Sequence, residues 1–79
     1  MSEPADLLPA IGVALYGRDW QMPLAAALDV THNTLDGWLR RRRPVPAGVW
    51  LDLANLLQKR AGECARLEAA ARVLWKKTP

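Results

Sequence analysis

The chain has 79 residues, 51% of them apolar and 24% charged, which excludes a disordered tail and leaves room for one small domain. The formal net charge is +3, but residues 1–29 carry −3 (four carboxylates against one arginine), whereas residues 30–45 and 46–79 carry +3 each. A basic region of this kind suits a polyanion or an anionic surface better than a small substrate.

The first predicted element is a helix near the N-terminus. Its apolar residues recur at helical spacing: Leu7, Leu8, Ile11, Leu15 and Tyr16. Asp6 is placed to act as its N-cap, and Pro9 then falls within the first turn, where proline is tolerated. We expect this helix to end near Gly17.

A second helix is predicted from Asp19, acting as its N-cap, to about Leu28. Pro23 is compatible with this helix only because it lies near the start. The apolar residues form an inward-facing stripe: Trp20, Leu24, Ala27 and Leu28.

Residues 29–31 interrupt the helical pattern, and Thr31 is a good N-cap for a short third helix. That helix places three apolar residues on one face: Leu35, Trp38 and Leu39. Four consecutive arginines at 40–43 come next, followed by Pro44 and Pro46. Since each proline disfavours helix in the residue before it, an extended connector is predicted here.

Helical character returns from about Pro46. Steps of three and four residues place the following side chains on one line, which we call the seam: Trp50, Leu53, Leu57, Arg60, Cys64, Leu67, Ala71 and Leu74. A continuous helix from Trp50 to Trp75 would be about 39 Å long. Because Gly62 costs about 1 kcal/mol relative to alanine inside a helix, a break near Gly62 is the alternative, and the sequence leaves both open.

These elements predict an all-α fold, in which a small helical bundle contains a helix-turn-helix and ends in a long or broken C-terminal helix. We assign residues 1–79 to a single domain. Residues 7–58 form the bundle, and residues 59–79 form a C-terminal helical extension.

Several function classes are disfavoured by the residue inventory. Cys64 is the only cysteine and His32 the only histidine, so neither a disulfide nor a metal site is expected. No His-paired nucleophile, phosphate-cradling glycine loop or supported carboxylate pair is visible, so we expect no enzyme, no cofactor and no small-molecule ligand. No apolar run approaches the roughly 20 residues needed to cross a bilayer, and no secretory signal is visible. These features indicate a cytoplasmic protein without a membrane partner.

The stretch from Gln21 to Arg40 combines two short helices, a turn and a small residue, Ala25, where the helices must approach each other. Its apolar positions are Leu28, Val30, Leu35 and Trp38. This stretch resembles the helix-turn-helix of the Cro and lambda-repressor family of small bacterial and phage regulators. The family favours glycine where this chain has Asp29, at a position that needs left-handed backbone. Gly37, inside the third helix, offers no side chain to DNA but would let the backbone approach a phosphate or base edge.

The resemblance implies that the third helix enters the major groove of DNA with its N-terminal residues facing the bases. The residues expected to read bases are His32, Asn33 and Asp36. Asn33 suits adenine and His32 guanine, whereas Asp36 either accepts from cytosine or merely repels a phosphate. Phosphate contacts are expected from Thr31, Thr34, Arg40, Arg41, Arg42 and Arg43, and from Gln21 by analogy with the family.

Simpler interpretations exist for several of these residues. An arginine run is often just a solvated face, and His32 and Asn33 are also ordinary residues for the first turn of a helix. Trp20, Trp38 and Trp50 fall on apolar stripes, so they are expected in the core rather than as base-stacking platforms. Cys64 is expected to be a small buried hydrophobe.

The expected function is a sequence-specific, double-stranded DNA-binding transcriptional regulator, a repressor that reads a palindromic operator as a homodimer. The dimer interface is assigned to Leu67, Ala71 and Leu74, because so small a monomer cannot cover the whole seam. Two alternatives stay open: a protein-interaction module that retains the helix-turn-helix fold, and a peripheral binder of anionic membranes. The position of the arginines at the end of a recognition-type helix favours DNA.

Overall fold

The computed structural model describes residues 4–78, and within this range every regular element is a helix. The helices are α1 (Pro4–Tyr16), α2 (Gln21–Leu28), α3 (His32–Leu39) and α4 (Ala47–Lys77). The predicted all-α bundle with a long C-terminal helix is confirmed, and a short turn joins α2 to α3 within it.

Two predicted N-caps are wrong. α1 begins at Pro4, so Asp6 lies inside the first turn and Pro9 lies beyond it, within the helix. α2 begins at Gln21 with Trp20 at the N-cap position, and no side chain caps it. Asp19 does not take this position because Trp20, which is only 7% exposed, turns into the core at that point. Thr31 does cap α3, as predicted, since its Oγ1 accepts from the backbone N–H of Thr34 at 3.1 Å.

The first three helices each end with a residue in the left-handed backbone conformation. After α1 this residue is Gly17, with φ of 80°. After α2 it is Asp29 (φ 57°), which confirms the backbone predicted for that turn, and after α3 it is Arg41 (φ 62°). After α2 and α3, the N–H of the left-handed residue and the N–H of the residue that follows it donate to carbonyl groups of the last helical turn, which is the Schellman pattern. Both sharp turns are therefore fixed by their own backbone hydrogen bonds.

The core lies between α1, α2, α3 and the first half of α4. Its buried side chains are Leu8, Leu15, Trp20, Leu24, Ala25, Leu35, Trp38 and Leu53, with Trp50 packed against them. The tryptophans at 20, 38 and 50 are thus core residues, as predicted. α1 packs on all three other helices and α2 packs on α3 and α4. Since α3 is held by α1 and α2 alone, its opposite face stays open to solvent.

α4 is continuous through Gly62, which decides against the predicted alternative of a break. Its 31 residues span about 46 Å, and the radius of gyration of 15.9 Å exceeds the roughly 12 Å of a compact chain of this length. Contact with the bundle extends to Arg60, whereas residues 64–78 are all exposed. Even so, neither α4 nor any other helix within residues 4–78 is apolar and long enough to cross a membrane.

Candidate nucleic-acid interface

The open face of α3 carries the side chains expected to read bases. At 100° per residue, His32, Asn33, Asp36 and Arg40 fall within about 100° of the helix circumference. His32 and Asn33 are exposed and Asp36 is partly exposed, while Leu35 and Trp38 lie buried on the opposite side. The structure therefore brings the three predicted readout residues to one solvent-facing surface.

The N-terminus of α2 is joined to this surface by a side-chain hydrogen bond. Gln21 Oε1 lies 3.1 Å from His32 Nε2. Because a carbonyl oxygen only accepts, the Nε2–H of His32 donates, and the Nδ1 atom of His32 and the amide NH₂ of Gln21 stay available to a ligand. A pocket of about 240 Å³ opens beside this pair, lined by Arg18, Asp19, Trp20, Gln21, Met22 and His32.

The two threonines predicted to contact phosphate serve first as a cap. Besides the bond from the Thr34 N–H, the hydroxyl groups of Thr31 and Thr34 lie 3.0 Å apart and bond to each other. Thr31 is exposed and Thr34 is partly buried. Since one hydroxyl of the pair donates to the other, the second keeps its proton for an outside acceptor such as a phosphate oxygen.

Asp36 is engaged by the first arginine of the run at 40–43. Arg40 Nε lies 2.9 Å from Asp36 Oδ2 and donates to Oδ1 at 3.0 Å, one helical turn along α3. This pair neutralises the carboxylate on the open face, which reduces its repulsion of phosphates. It also holds the guanidinium of Arg40 against α3.

The remaining three arginines diverge. Arg41 forms an ion pair with Asp6 of α1, with Nη2 to Oδ1 at 3.1 Å. The side chain of Arg43 covers Gly37: a Cβ added to this glycine would lie 3.6 Å from Cδ and Nε of Arg43. Gly37 is therefore buried in the unbound chain, and the approach of its backbone to DNA stays a prediction that requires Arg43 to move aside. The side chain of Arg42 is exposed and makes no hydrogen bond or ion pair among residues 4–78.

The side chains assigned to a dimer interface all lie on the part of α4 that leaves the bundle. Leu67 and Leu74 are each 63% exposed, and Ala71 is exposed between them. Cys64 is also exposed, so the prediction that it is a buried hydrophobe is wrong for the single chain. The seam is covered at Leu53 by the bundle and has no cover from Cys64 onward, because α1 ends before reaching it.

The sequence analysis missed the pair of Arg40 with Asp36 and the contacts of three further arginines. Arg60 donates from Nη1 to the carbonyl oxygen of Leu15 at 2.6 Å, and its guanidinium lies 5.8 Å from the ring centroid of Tyr16. The other two are the contacts of Arg41 with Asp6 and of Arg43 with Gly37. The one available signal was Arg60 itself, a charged residue at an apolar position of the seam.

Comparison of the chain with protein-family models, with curated proteins and with solved structures finds no match.

Proposed function

We propose that the protein is a sequence-specific regulator of transcription that binds double-stranded DNA and acts as a repressor. The observation that carries this proposal is the open face of α3. There His32 and Asn33 project next to Gln21 from the start of α2, and Arg40 closes the same surface. One face of α3 packs on α1 and α2 and the opposite face is exposed to solvent. An α-helix exposed in this way fits a major groove about 12 Å wide.

Residue chemistry on that face matches base edges. Asn33 offers one donor and one acceptor, which is the pattern that reads N6 and N7 of adenine. The amide NH₂ of Gln21 is a donor at the start of α2, next to backbone N–H groups that no side chain caps. Both kinds of donor favour a phosphate oxygen at this point.

The arginines supply the charge that a phosphate backbone requires. Arg42 is exposed and ready for a phosphate, while Arg40 is held near the face by Asp36. The pair between Arg41 and Asp6 has both side chains more than half exposed, and such pairs contribute at most about 1 kcal/mol. The pair with Asp6 is therefore by itself a weak competitor of a phosphate for Arg41.

Two copies are part of the proposal. One short recognition helix reads only a few base pairs, so specificity within a genome requires a second half-site. The uncovered seam through Leu67, Ala71 and Leu74 supports a homodimer, since burying a leucine side chain is worth about 1.5–3 kcal/mol.

The salt dependence of DNA binding tests the proposal. Binding of a fluorescent duplex is followed by anisotropy over a series of NaCl concentrations for the native chain, Arg42→Ala and Lys76→Ala. The slope of log K against log salt is negative, and loss of one phosphate contact in Arg42→Ala should reduce its magnitude by about 0.9. Lys76, at the far end of α4, is the matched control and should leave the slope unchanged.

Absence of duplex binding at low salt would contradict DNA binding. An unchanged slope for Arg42→Ala, or an equal change for both variants, would contradict the specific phosphate contact assigned to Arg42. Co-sedimentation with anionic vesicles under the same conditions separates the alternative of a peripheral membrane binder, which would bind vesicles in preference to duplex.

A further inference from the structure

The segment of α4 beyond the bundle, residues 64–77, is about 21 Å of helix that no other part of the described chain, residues 4–78, covers. Its seam continues the same helix face that packs into the core at Leu53 and carries Arg60 against the end of α1. A bare helix of this length with leucines on one side requires a partner surface. The uncovered face of α4 begins where α1 ends. A helix from a partner would therefore pack on α4 beyond the end of α1.

We infer that the partner is the same segment of a second copy, and that the two segments pair in antiparallel orientation. This inference deepens the dimer part of the proposed function by naming the arrangement of the two chains. It rests on two independent observations, the sizes of the seam residues and the positions of the charges beside them.

The sizes of the seam residues favour antiparallel layers. Large and small residues alternate along the seam as Cys64, Leu67, Ala71 and Leu74. In antiparallel pairing Leu74 meets the partner's Cys64 and Leu67 meets the partner's Ala71, so every layer joins a large residue to a small one. Parallel pairing would instead stack Ala71 on the partner's Ala71, which leaves a gap between two leucine layers.

Charges beside the seam favour the same orientation. On one flank, antiparallel pairing places Glu63 within reach of the partner's Lys77, and symmetry repeats this attraction. Parallel pairing would place Glu63 beside the partner's Glu68, twice. Antiparallel pairing also brings Glu68 near the partner's Glu68 at the two-fold axis, which is one repulsion against two attractions. Arg72 lies 3.6 Å from Glu68 on its own helix and weakens any repulsion of Glu68 in either orientation, so the two attractions of Glu63 with Lys77 decide the difference.

Charge reversal distinguishes the two orientations by the sign of its effect. The dimer dissociation constant is measured by sedimentation equilibrium, without DNA. Glu63→Lys should raise it about five- to tenfold, because each attraction becomes a repulsion, and adding Lys77→Glu should restore it. The matched control is Lys76→Glu, which makes the same charge change as Lys77→Glu but on the side of α4 opposite the seam. In a parallel dimer Glu63→Lys would lower the dissociation constant, and this result would overturn the proposal.

The single cysteine gives a second, geometric test. In the antiparallel pair Cys64 lies about 15 Å along the axis from the partner's Cys64, too far for a disulfide. Mild oxidation of the native dimer should therefore give no covalent dimer, whereas Leu74→Cys should give one, since it places a thiol opposite the partner's Cys64. A covalent dimer of the native chain indicates parallel pairing and refutes the orientation alone. A native chain that sediments as a monomer refutes the pairing itself. Neither result bears on whether a single chain binds DNA.

Discussion

Gly12 is where the packing of α1 on Trp20 is most sensitive to an added atom. A Cβ at this position would lie 2.1 Å from Cε3 and 2.4 Å from Cδ2 of the indole, so either the ring or α1 must move by more than 1 Å. Overpacking of this kind costs about 1–3 kcal/mol, and displacing part of a buried tryptophan, whose full loss costs about 3–5 kcal/mol, adds about 2 kcal/mol. Alanine regains about 1 kcal/mol of helix propensity. We therefore expect Gly12→Ala to lower the free energy of unfolding by about 2–4 kcal/mol.

Urea unfolding followed by far-ultraviolet circular dichroism measures this change. The matched control is Gly62→Ala, because α4 is helical there and, apart from the neighbouring backbone of α4 itself, no described atom would lie within 4 Å of the added methyl group. It should leave stability unchanged or raise it by up to about 1 kcal/mol. In a Trp20→Leu background, Gly12→Ala should cost much less, since the clash is gone. If Gly12→Ala is as stable as the native chain, α1 does not pack on Trp20 in the geometry described.

Two further predictions concern the ends of α3. Thr31→Ala should lower the free energy of unfolding by about 1 kcal/mol through loss of the cap on the Thr34 N–H, whereas Thr31→Ser should retain most of it; equal urea midpoints for both variants would contradict the cap. Arg41→Gly should be about 1 kcal/mol more stable than Arg41→Ala, because both variants lose the pair with Asp6 but only glycine adopts φ of 62° without strain. The two variants should lose the same DNA affinity. An alanine variant that is more stable than the glycine variant would contradict this prediction.

The helix-turn-helix could be predicted from the sequence because its signals are local. Thr31 caps α3 by accepting from the N–H of Thr34, three residues further along the chain, and the left-handed backbone at Asp29 is the one that the resembled family requires at this position. The open face of α3 likewise follows from the period of its apolar residues.

The errors arose where distant parts of the chain decide the outcome. Asp19 has the right chemistry for an N-cap, but burial of Trp20 sets where α2 begins. Cys64 continues an apolar pattern, yet a pattern does not reveal what covers it, and α1 is too short to do so. The pairing of Arg41 with Asp6 joins residues 35 positions apart, and no local rule predicts such a contact.

The claim that the open face of α3 reads DNA sequence is tested most directly at Asn33. Duplexes bound by the native chain are selected from a random pool, and the affinities of native and Asn33→Ala chains are then measured on the selected site and on random duplex. We predict an enriched palindrome on which Asn33→Ala binds about 5- to 150-fold more weakly, which corresponds to about 1–3 kcal/mol, with almost no change on random duplex. No enriched sequence, or equal losses on both duplexes, would contradict the claim.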